Sequence, residues 1–137
     1  MKKEVYINLP VKDLGKATAF YEALGFVKNP MFSSETASAM VWSDNIIVML
    51  LIHSFYSNFI QEKSIADTHK TSGALLALSL DSKELVQKFA DIAKEQGGNY
   101  YMSDVNKETD FMFGYEVEDL DGHIWEPFYM DMSKMPK

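Results

Sequence analysis

One pattern limits how this chain can fold more than any other: a strand, cap, helix and glycine step that occurs twice. The first copy begins at Val5, Tyr6 and Ile7 and passes through "LPVKDLGKATAFYEALGF". Residues 5–9 are short and β-rich, and Pro10 closes the strand by withdrawing a ladder donor. Asp13 stands where an N-cap satisfies the free N–H groups of a first helical turn. Ala17, Phe20, Tyr21 and Leu24 then recur at spacings of three and four, which predicts an amphipathic helix. Gly25 ends it as a left-handed residue, and Phe26 folds back on the last turn.

The second copy is "LSLDSKELVQKFADIAKEQGG". Its strand is expected over 74–80, its cap at Asp81 or Ser82, and its helix over 83–95. Leu85, Val86, Phe89, Ile92 and Ala93 share a face, and Gly97-Gly98 ends the helix.

Three strands are expected after each helix. In the first half they fall at 26–29, 37–43 and 45–52, with Ser43-Asp44-Asn45 as a tight turn. The last is continuously apolar, as in a strand buried on both faces. In the second half they fall at 99–103, 111–118 and 123–130. The turn Asp119-Leu120-Asp121-Gly122 carries an Asp-Gly signal suited to positive φ. Between the halves, 53–72 is polar and mixed in charge, with one short helix expected at 54–61. The chain thus reads as a single α+β domain spanning residues 1–137. Two tandem βαβββ units, about 4–52 and 73–131, form half-barrel sheets with helices packed outside and a connector at 53–72. Units of about 50 residues cannot each bury a sheet alone, so they pair within the chain or between chains.

Composition excludes several classes of function. A net charge of −7, with the lysines scattered, argues against a phosphate-backbone partner and so against nucleic acid. Although 47% of residues are hydrophobic, no apolar run approaches the roughly eighteen that cross a membrane. Met1-Lys2-Lys3-Glu4 leads into a strand-like run without a signal-peptide apolar core, so a cytoplasmic location is expected. There is no cysteine, hence no disulfide, thiol nucleophile or thiolate metal site.

The "LPVKDL…AFYEALGF" step, the paired βαβββ layout and the closing "DLDGHIWEPF" together resemble the vicinal oxygen chelate superfamily. That superfamily contains glyoxalase I, bleomycin-resistance proteins, fosfomycin-modifying enzymes and extradiol dioxygenases. The likeness covers nearly the whole chain. It looks most like bacterial lactoylglutathione lyase-like proteins.

The resemblance implies where a divalent metal would sit in metal-using members: one ligand on the first and last strand of each unit. Carried over one at a time, those positions hold Tyr6, Met49 (Val48 and Leu50 are its neighbours), Leu75 and Glu126. One carboxylate among a phenol, a thioether and an alkyl chain does not chelate such an ion. No metal or other cofactor is therefore expected, and a divalent ion held in some other way is the alternative. His53, His69 and His123 show no ligand spacing. His123 and Glu126, three apart in a strand, face opposite ways.

From the same positions, strand alternation predicts a ligand pocket on the concave side. Tyr6, Asn8, Ile47, Met49 and Leu51 come from the first unit. Leu75, Ala77, Ser79, Ile124, Glu126 and Phe128 come from the second. This apolar, aromatic and Met-lined set with few polar groups suits a small amphipathic molecule; the plainer reading is core filler. Glu126 among such neighbours must be hydrogen-bonded, protonated or paired with a cation, with Tyr6 as one candidate donor. Pro127 predicts an edge or a bulge beside it. Two functions follow. One is a metal-independent binding protein, a homodimer like the bleomycin-resistance relatives. The alternative is a lyase or isomerase of small oxygenated metabolites, lactoylglutathione lyase-like, with Glu126 as the catalytic base.

Overall fold

Caps and glycines set the frame. In the computed structural model, which describes residues 1–135, the chain divides into two compact units, Met1–Asp67 and Thr68–Lys137. Each unit repeats one order of elements, a strand, a helix and then further paired strands (three in the first unit, four in the second), around an open sheet.

The first unit contains β1 (Val5–Val11), α1 (Leu14–Ala23), β2 (Val27–Asn29), β3 (Ala37–Ser43), β4 (Ile46–Ile52) and α2 (His53–Ser57). Asp13 Oδ1 accepts the Lys16 N–H at 3.0 Å and opens α1. Gly25, at φ 109°, closes it. The sheet runs β1-β4-β3-β2, with β1 parallel to β4 and the rest antiparallel. One face takes α1: Ala17, Phe20 and Tyr21 are buried, as are Leu9, Val11, Met40, Val48 and Leu50 on the strands. Tyr21 and Phe26 meet edge to face at 5.1 Å, and Phe26 meets Trp42 at 4.9 Å. Each such ring contributes about 1.5–3 kcal/mol by leaving water. Thr18 and Ser38 hydroxyls, 2.8 Å apart, satisfy each other inside this layer. Ile47 and Leu51 on the other face of β4 are buried too, so that strand is covered on both sides.

The second unit contains β5 (Leu75–Ser79), α3 (Lys83–Glu95), β6 (Asn99–Tyr101), α4 (Asp104–Glu108), β7 (Met112–Gly114), β8 (Glu116–Glu118) and β9 (Ile124–Met130). Ser82 Oγ caps α3 through the Leu85 N–H at 3.1 Å. Val86, Phe89, Ala90 and Ala93 bury against a sheet of order β5-β9-β8-β6, where Val117, Trp125 and Pro127 are also buried. The Asp-x-Asp-Gly signature works as a turn. Asp119 Oδ1 accepts the N–H groups of Asp121 and His123, both at 2.9 Å. Gly122 adopts φ 86°, and a Cβ there would lie 2.6 Å from the Thr68 carbonyl oxygen. The Thr68 hydroxyl donates to the Asp121 carbonyl, so the chain entering this unit is fastened to its hairpin.

Several expectations change. The segment 111–118 is two strands, not one, because the ladder breaks at Tyr115. The Tyr115 N–H donates to the Pro127 carbonyl at 3.3 Å, and Pro127 has no N–H to return. The irregularity expected at Pro127 therefore falls on its partner. β9 itself is no edge: it lies between β5 on one side and β8 and β7 on the other. Gly114 sits at the same break, where a Cβ would come 2.8 Å from the Pro127 carbonyl oxygen. The short helix of the connector is His53–Ser57, giving way to turns before residue 61. The strand expected to reach residue 103 stops at Tyr101, because Ser103 caps α4 by accepting the Asn106 N–H at 3.3 Å.

Candidate functional site

Sheet register brings side chains into rows. In the second unit Tyr101 pairs with Glu116, and Val117 pairs with Trp125. One step along that antiparallel ladder, Glu116 stands opposite Glu126, which pairs on its other side with Ala77. Tyr101, Glu116, Glu126 and Ala77 thus form one row on the face opposite α3, since Val117, Trp125 and Pro127 fill the helix side. Ile124, Phe128, Leu75 and Ser79 share that face by alternation, and Leu75 is well exposed.

The first unit has the matching row, Asn29, Ala39, Met49 and Asn8. Position for position, Met49 corresponds to Glu126 and Ala39 to Glu116. Tyr6, Ile47 and Leu51 lie on the same face as Met49. Two cavities open there. One of about 240 Å³ is lined by Tyr6, Ile47, Phe32, Ala39, Val41, Asn29 and the charged Lys2, Glu4 and Asp44. The other, of about 260 Å³, is lined by Asn8, Leu51, Tyr56, Phe59 and Ile60. Four residues expected in a pocket therefore do line cavities of this unit, whereas Met49 lies on the face without lining either one.

The chemistry concentrates on Glu116, a residue that sequence reasoning missed. Its side chain is 6% exposed. Oε1 accepts from Asn106 Nδ2 at 3.1 Å, while Oε2 is buried without a hydrogen-bond donor among the described residues. The Glu126 carboxyl is within hydrogen-bonding reach, yet two ionised carboxylates can only accept. Burial first, then the Glu126 contact and its charge, raise the Glu116 pKa to about 7, against a smaller opposing contribution from the Ser103 hydroxyl. Near neutral pH the pair therefore holds a proton. Partial burial, followed by the charges of Glu118, Glu116 and Glu126, likewise raises the phenol pKa of Tyr101.

A signal for Glu116 was present. Glu116 and Glu126 each lie five residues from Asp121, so a hairpin in register about that residue opposes them.

The metal positions of the superfamily do not fit a metal here. Leu75 offers no donor atom, Met49 offers a thioether and Tyr6 a phenol. Among the described residues no three His, Asp or Glu side chains converge.

The N-terminal segment, residues 3–41, matches the family model described as bleomycin resistance protein-like N-terminal. Among curated proteins nothing matches the sequence. Solved structures share the fold over nearly the whole chain. The hypothetical protein SA1046 of S. aureus is 25% identical with a TM-score of 0.76, covering 94% of this chain and 95% of that one. A glyoxalase/bleomycin resistance protein/dioxygenase family enzyme from Burkholderia phytofirmans is 19% identical with a TM-score of 0.74, covering 91% and 96%. The bleomycin resistance determinant encoded on transposon Tn5 is 17% identical with a TM-score of 0.63, covering 96% and 100%. By its fold and by the sequence of residues 3–41, the chain is similar to proteins of the vicinal oxygen chelate superfamily.

Proposed function

We propose that the protein binds a small amphipathic molecule without a metal ion and works as a homodimer. The observation that carries this reading is the face of the first unit opposite α1. The cavity of about 260 Å³ is walled by Leu51, Tyr56, Phe59 and Ile60 with Asn8 among them, and the one of about 240 Å³ combines Tyr6, Phe32, Val41 and Ile47 with the charged Lys2, Glu4 and Asp44. Such a lining holds an apolar body by excluding water and orients it through one or two hydrogen bonds, here offered by Asn8 and Tyr56. The likeness to a bleomycin resistance determinant supports binding without turnover. The exposed Val27, Met31 and Phe32 beside the β2 edge support a partner chain.

A second reading is favoured by one observation, the Glu116 carboxyl with its pKa raised to about 7. A lyase or isomerase of small oxygenated metabolites, lactoylglutathione lyase-like, needs a group that exchanges protons at neutral pH. Glu126 would be the base, with its proton passing to or from Glu116.

Equilibrium dialysis against metal-free bleomycin and a panel of drug-sized amphipathic molecules, beside an assay on the methylglyoxal–glutathione hemithioacetal, separates the two. Saturable binding with no turnover is expected. Turnover lost in Glu126→Gln, with no binding across the panel, would install the enzyme reading.

A further inference from the structure

Glu116 Oε2 is the least comfortable atom in the second unit. It is buried, it lacks a hydrogen-bond donor among the described residues, and once the pair has lost its proton the Glu126 carboxylate supplies only more acceptors. Oε1 is already held by Asn106 Nδ2 at 3.1 Å. Burial does not extend across the row: Glu126 is half-buried and Tyr101 is 45% exposed, so the row reaches solvent at its Tyr101 end while Glu116 stays buried. A visitor that suits this place must bring N–H donors and positive charge, and a short apolar tail can lie along Tyr101, Phe128 and Ile124.

We propose that Glu116 and Glu126, with the Tyr101 phenol beside them, form a subsite for the primary ammonium end of an amphipathic ligand. The proposal rests on the reading of the protein as a binder of amphipathic molecules and specifies the charged group that the second unit recognises. A primary ammonium has three N–H donors. Two of them bridge Glu116 Oε2 and the Glu126 carboxylate, satisfying the orphaned acceptor and neutralising a charge that burial penalises. The phenol oxygen of Tyr101 is in the same row for the third. A quaternary ammonium carries the same charge but no N–H, so it leaves Oε2 unsatisfied. An alcohol brings a donor without charge.

The test is isothermal titration of the full chain at pH 8 with n-hexylammonium, n-hexyltrimethylammonium and 1-hexanol. Hexylammonium is expected to bind at least tenfold more tightly than either of the others. Glu116→Gln and Glu126→Gln are each expected to weaken it tenfold or more, while Glu95→Gln, on the exposed surface of α3 across the sheet, leaves it unchanged. Equal affinity for the primary and quaternary ions, or no binding of hexylammonium by the wild-type chain, overturns the subsite. That comparison needs no variant to fold. If bleomycin or another amphipathic molecule still binds when hexylammonium does not, the subsite falls and the binding function stands.

Discussion

Glu116 and Glu126 face each other across neighbouring antiparallel strands, ten residues apart in sequence and joined by a single Asp-Gly turn. A carboxyl with its pKa at about 7 in the folded chain and about 4.5 when unfolded binds its proton more tightly in the native state. Its contribution to stability is therefore full below about pH 4.5 and is lost as pH rises through about 7. We expect Glu116→Gln to leave stability near wild type at pH 5 and to raise it at pH 8 by on the order of 1–3 kcal/mol. Urea denaturation at the two values measures this. A variant weaker than wild type at pH 8 contradicts a proton-holding pair.

The two carboxyls should also be coupled. Each single Gln substitution relieves the repulsion that the other one feels, so Glu116→Gln with Glu126→Gln is expected to stabilise at pH 8 by less than the sum of the singles. A coupling energy of roughly 0.5–3 kcal/mol is anticipated. Strict additivity would separate the two residues energetically.

Gly122→Ala should be costly. It places a side chain at φ 86° and pushes a Cβ to 2.6 Å from the Thr68 carbonyl, a backbone atom that cannot swing aside. A loss of about 2 kcal/mol or more is expected, read as a fall in urea midpoint with little change in slope. A neutral outcome would mean that the Thr68 fastening is dispensable.

No saturable rise in melting temperature is expected with Zn²⁺, Ni²⁺, Mn²⁺ or Fe²⁺. An ion bound only by the native state at a hundredfold over its Kd adds about 2.7 kcal/mol, which a thermal scan resolves easily. A saturable shift that disappears in Glu126→Gln would restore a metal to this fold.

Light scattering at tens of micromolar should give close to twice the 15.6 kDa chain mass. A single-chain mass would remove the dimer from the proposed function.

Much of the frame was legible because it is written locally. Asp13, Ser82 and Gly25 each act within four residues of their position, and α3 spans the residues that the periodicity of Val86, Phe89 and Ala93 marks. What was missed depends on partners far along the chain. The polar stretch that forms α4 has no apolar period, and its helix hangs on the Ser103 cap and on Asn106 reaching Glu116. The break at Tyr115 is decided by Pro127, twelve residues away. Glu126 was legible as an acidic position, whereas Glu116, its neighbour across its own hairpin, was not. The superfamily pattern drew attention to the last strand and away from β8.

The correspondence of the two rows has a consequence for how this protein can change. Asn29, Ala39, Met49 and Asn8 occupy in one repeat the stations that Tyr101, Glu116, Glu126 and Ala77 occupy in the other. A chain with two copies of a frame can let one carry the electrostatic burden of a buried acid while the other keeps an inert lining. Each copy then sets a ceiling on the other's tolerance. Substitutions at Ala39 or Met49 have room to explore new chemistry only while the acidic repeat remains stable enough to hold its half of the molecule together.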